Sequence, residues 1–128
     1  MPSKDPIKRY EDILENIERI ENHIEDMTEE QFHADQKTMD AVERCIERIC
    51  EATVKLGDIA SEIEPSAPWE KMRGMGNMLR HEYDVVLSEI VWNTAQKDLP
   101  ELKAVAQRSI DVLKERRARD DRDVEHER

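Results

Sequence analysis

Residues 6–27 read PIKRYEDILENIERIENHIEDM, and this stretch decides the fold. Its apolar residues are Ile7, Tyr10, Ile13, Leu14, Ile17, Ile20, Ile24 and Met27, set mostly three and four apart. A helix turns once in about 3.6 residues, so this spacing gathers them on one stripe. Glu11, Glu18 and Arg19 fill the opposite face. The stretch is read as an amphipathic helix, with Pro6 in the first turn, where its missing N–H is no loss.

The same period recurs downstream. Thr28 to Gln31 has the form of a capping box for a short following turn. A second helix is expected from Asp35, its N-cap, to about Glu64. Its stripe is Met39, Val42, Cys45, Ile46, Ile49, Thr53, Leu56, Ile59 and Ile63, and Gly57 kinks or divides it. The break Glu64-Pro65-Ser66-Ala67-Pro68 offers the cap and first-turn proline of a third helix, carrying Trp69, Met72, Met75, Met78 and Leu79 and ending near Tyr83. A short helix over 88–96 holds Ile90, Val91 and Trp92. Asp98 then caps a last helix with Leu102, Val105, Ala106, Ile110 and Leu113 as its stripe. The expected fold is all-α, an antiparallel four- to five-helix bundle over residues 1–116. Residues 117–128 are expected to be a charged, disordered tail.

Composition sets further bounds. A chain of 128 residues makes one domain. Only 3 glycines, 5 prolines and 4% aromatic residues argue against an all-β sandwich. No apolar run approaches the roughly 18 residues of a membrane span, and no basic-then-apolar leader opens the chain, so a cytoplasmic protein is expected. With 31 acidic against 20 basic residues the net charge is −11, which opposes non-specific coating of nucleic acid. Few large aromatics leave a thin core, and a homodimer would bury more of it. Cys45 and Cys50 lie about 140° apart on a helix, outside any metal or redox spacing. They are read as small buried or semi-buried thiols, and no cofactor is expected.

The chemistry concentrates in PWEKMRGMGNMLRHEY, residues 68–83. Lys71, Arg73, Arg80 and His81 form a small positive island in an acidic protein. Asn77 and His81, four apart, share a helix face, with Arg73 four earlier. Histidine titrates near neutral pH and suits a general base, while an arginine fork suits a phosphate. A solvated helix face is the plainer reading of the same cluster. Gly74 and Gly76 each weaken a helix by about 1 kcal/mol relative to alanine, which points either to a close approach of other atoms or to a locally irregular helix. Trp69, Met75 and Met78 read as core or dimer packing.

These residues resemble those of the HepT proteins of the HEPN superfamily, the toxin half of HepT/MntA toxin–antitoxin pairs. The landmarks are DQKTMDAV at 35–42, Pro68-Trp69, Gly74-Met75, Asn77, His81-Glu82-Tyr83, Ile90-Val91-Trp92 and Asp98-Leu99-Pro100-Glu101-Leu102, in the family's order from about residue 7 to 114. The resemblance implies a homodimer with a shared cleft and a metal-independent endoribonuclease. It assigns His81 as base, Asn77 to positioning, and Tyr83 as acceptor of AMP from an MntA-like nucleotidyltransferase. The family's arginine, expected immediately before Asn77, is replaced by Gly76. Arg73 and Arg80 are the candidates to supply a guanidinium in its stead. A degenerate protein that serves only as partner and AMP-acceptor of the nucleotidyltransferase is the alternative.

Overall fold

The computed structural model describes residues 4–81 and 85–127, with the side chains of 80, 81, 85–87 and 127 outside the description. Helix α1 spans Pro6–Ile24, and the Asp5 carboxylate accepts from the Lys8 N–H at 3.2 Å to cap it. Helix α2 is the single turn Glu29–His33. Both bonds of its capping box form, Thr28 Oγ1 accepting from the Gln31 N–H and Gln31 Oε1 from the Thr28 N–H. Helix α3 spans Gln36–Leu56 and starts under Asp35, whose carboxylate takes the Thr38 N–H at 3.0 Å and the Thr38 hydroxyl at 2.9 Å. These three starts follow the cap chemistry of the sequence.

Gly57 divides the next helix rather than kinking it. Its φ of 62° lies in the left-handed region open to glycine, which ends α3 and begins α4 at Asp58–Ile63. Helix α5, Trp69–His81, closes its first turn from the Met72 N–H onto the Pro68 carbonyl, two residues beyond Ser66.

The expected restart at Asp98 is not a break. Helix α6 spans Val85–Asn93, a π-turn follows at Thr94–Asp98, and α7 runs on through Leu99–Glu127. The Leu99 N–H reaches five residues back to the Thr94 carbonyl. Pro100 gives the reason: it has no N–H, and its ring would collide with the Gln96 carbonyl in an unbroken α-helix. The widened turn absorbs the proline without ending the helix.

The expectation of disorder from residue 117 also differs from the structure, where α7 is helical to Glu127. Glu, Arg and Ala are strong helix formers, and Arg122 pairs with Glu115 at 3.3 Å. The expected solvation does hold, since no described side chain after Leu113 is buried.

Helix α3 lies between α1 and α5, α7 packs on the other side of α1, and α2 sits against α6. Neighbours are antiparallel. Glu21 of α1 pairs with Lys103 of α7 at 2.9 Å, while Ile7 at the other end of α1 lies by Leu113. The stripes read from the sequence form one core, with Tyr10, Ile13, Phe32, Val42, Ile46, Ile49, Met72, Val91 and Leu102 essentially inaccessible. Trp69 stands edge-on to Tyr10, and Phe32 lies against Trp92 with ring centroids 5.3 Å apart. Cys45 and Cys50 are buried, and neither is in a disulfide.

Candidate functional site

Helix α5 carries the candidate site, and its register decides what each residue can do. Trp69, Met72, Met75 and Gly76 are buried against the bundle. Asn77 is exposed. His81 is the last residue of α5, and Tyr83 lies outside the described residues.

The two glycines have different explanations. A Cβ at position 76 would stand 2.9 Å from Cys50 Cβ and 3.5 Å from Cys50 Sγ, so Gly76 is where α5 touches α3. At position 74 a Cβ would meet nothing within 4 Å among the described residues. Residues two apart on a helix point about 160° apart, so one glycine faces the core and the other faces out. Of the two readings of these glycines, close approach therefore applies to Gly76 alone.

Arg73 is half-buried and turns back over α3. Its Nη2 donates to the Gly57 carbonyl at 3.3 Å and approaches the Thr53 carbonyl at 3.5 Å. The last carbonyls of a helix lack internal partners and carry partial negative charge, so a guanidinium there acts as a C-terminal cap. Lys71 is likewise engaged, pairing with Asp98 of the π-turn at 2.8 Å. The positive island of the sequence thus has two of its four members already matched. Arg80 follows on α5 beside His81.

The sequence reading missed a groove on the outward face of α5. It has a volume of about 490 Å³ and lies between α5 and the α6–π-turn junction, with Gly74, Met75, Met78 and Ile90 inside and Asn93 and Lys97 at the rim. Its one sequence signal was phase: Gly74, Met78 and His81 follow one another at helical spacing. Among the described residues no group of three or more His, Cys, Asp or Glu side chains is arranged to hold a metal ion. No helix of the described residues is long and apolar enough to cross a membrane.

A bundle of helices, with no strand among the described residues, is the class that the fold defines. The family model described as "Ribonuclease HepT-like" matches residues 13–109. The chain is 38% identical over 93 residues to "Probable ribonuclease HepT" of Thermococcus cleftensis, covering 73% of this chain and 84% of that one. It is 34% identical over 116 residues to "Putative RNase MJ0125" of Methanocaldococcus jannaschii, covering 91% of this chain and all of the relative. This chain belongs to the HepT-like ribonuclease family of the HEPN superfamily. No solved structure matches it significantly.

Proposed function

We propose that the protein is a metal-independent endoribonuclease, the toxin of a HEPN/MNT toxin–antitoxin pair, acting in the cytoplasm as a homodimer with a shared cleft. The observation that carries this reading is the family match over residues 13–109, which spans α5 with Asn77 and His81. His81 takes the proton of a ribose 2′-hydroxyl. The 2′-oxygen attacks the adjacent phosphorus to form a 2′,3′-cyclic phosphate, the P–O bond to the 5′-oxygen breaks, and that oxygen takes a proton from water. Asn77 positions the base or the phosphate. Arg73 is held at the end of α3, which leaves Arg80 as the proposed cation for the charge that grows on the phosphate.

Tyr83 is proposed as the site where an MntA-like nucleotidyltransferase adds AMP. A phosphodiester there places negative charge two residues from His81 and opposes entry of RNA. Gly76 supports a second reading, since the family arginine is absent and its position is packed against Cys50. In that reading the chain is a non-catalytic partner and AMP-acceptor.

Incubation of RNA with the purified protein in chelator separates the two. Cleavage by wild type, lost in His81→Ala and Arg80→Ala, supports the nuclease. No cleavage by wild type, together with a mass gain of one AMP on Tyr83 after incubation with ATP, magnesium and the partner, supports the second reading.

A further inference from the structure

We infer that the groove between α5 and the π-turn is a slot for one unpaired nucleotide of a single-stranded RNA. The inference deepens the proposed nuclease function and rests on it. Gly74 is the first observation. An exposed glycine inside a helix weakens it by about 1 kcal/mol relative to alanine, and among the described residues nothing stands within 4 Å of a Cβ at position 74. The glycine does, however, keep the groove floor open.

The lining supplies the second. Met75, Met78 and Ile90 offer an apolar, polarizable surface for a base, while the exposed Asn93 amide and Lys97 ammonium stand at the rim. The one carboxylate in the lining, Asp98, is matched by Lys71 at 2.8 Å. Lys97 makes no ion pair among the described residues, so its charge is open to a phosphate. The π-turn puts Asn93, Lys97 and Asp98 on this groove.

Register is the third. On an ideal helix position 81 falls about 20° from Gly74, and Asn77 about 60° from it. By helical phase, position 81 thus falls on the side of α5 that the groove occupies. Its volume of about 490 Å³ lies within the roughly 300–1,000 Å³ of small-ligand pockets. Its nine lining residues fall well short of the roughly 20–30 a side of a stable protein interface.

The test uses a short fluorescent 2′-O-methyl oligouridylate, which has no free 2′-hydroxyl and is not cleaved by this route. Binding is measured with the full chain as wild type, Gly74→Leu and Lys97→Ala, alongside Tm and solution mass. Gly74→Leu should hold or raise its Tm, since leucine favours a helix over glycine, keep its solution mass, and bind at least about tenfold more weakly. Lys97→Ala should bind about three- to fivefold more weakly, with a salt dependence shallower by about 0.7 in log–log slope, one phosphate contact on a single strand. Wild-type affinity in Gly74→Leu overturns the inference and leaves the nuclease reading standing. A changed mass in Gly74→Leu assigns the groove to a second copy and also overturns it. A wild type that neither binds the probe nor cleaves RNA overturns both.

Discussion

Cys50 of α3 and Gly76 of α5 meet so closely that a Cβ on residue 76 would stand 2.9 Å from that of Cys50. Two helices therefore cross at a point where one must lack a side chain. An arginine at 76, as the resemblance expects, would drive its Cβ into α3, so the glycine there has a packing reason of its own.

Gly76→Ala tests that contact directly. Overpacking costs about 1–3 kcal/mol, against about 1 kcal/mol gained in helix propensity, so a net loss of up to about 2 kcal/mol is expected in urea unfolding. Gly76→Arg should lose more. Adding Cys50→Gly removes the opposing Cβ, so Gly76→Ala should then be neutral or stabilising relative to Cys50→Gly alone. A penalty unchanged in the double variant would show that the contact is not the cause.

Arg73 and Arg80 should separate by readout. Arg73→Ala removes a half-buried cap from the α3 carbonyls and should lower stability by about 0.5–1 kcal/mol, with cleavage close to wild type. Arg80→Ala should leave Tm unchanged and abolish cleavage. Loss of cleavage in Arg73→Ala at full stability would reverse the assignment.

Asp35 gives a pH-dependent contribution. Bonds from the Thr38 N–H and hydroxyl hold its carboxyl below the usual carboxylate range. The ionised form is thus favoured by folding, and its contribution is fully present above the unfolded pKa of about 3.9. It is lost as pH falls through the lower folded value. Asp35→Ala should accordingly lower Tm by a few degrees at pH 7, with the difference from wild type shrinking below about pH 4. Thermal melts between pH 7 and pH 3 measure it, and a gap that widens on acidification would contradict the cap.

Ile49 is fully buried in α3, within the core that α1 and α5 share. Ile49→Ala should cost about 2–4 kcal/mol through lost burial and a residual cavity. Val54→Ala on the same helix, at a position 60% exposed, should be near neutral. Equal effects of the two would deny the burial pattern.

The helices and their caps were legible because those signals are local. The Pro6 start, the Thr28–Gln31 box, the Asp35 cap and the Ile7–Ile24 stripe need only residues within a turn or two of one another. The chain's end and the π-turn were less so, for two reasons. Polar composition resembles disorder even when its residues favour helix, and a proline reads as a stop unless a wider turn takes it in.

By itself the sequence determined the helical class, the buried stripes and the helix carrying Asn77 and His81, because periodicity and caps are properties of neighbouring residues. Only the tertiary structure decided what Gly76, Gly74, Arg73 and Lys71 are for. Gly76 meets Cys50, Arg73 reaches Gly57, and Lys71 reaches Asp98, all between residues 16 to 27 apart in the chain. Such meetings depend on how whole helices cross, and helical period within one segment does not specify that.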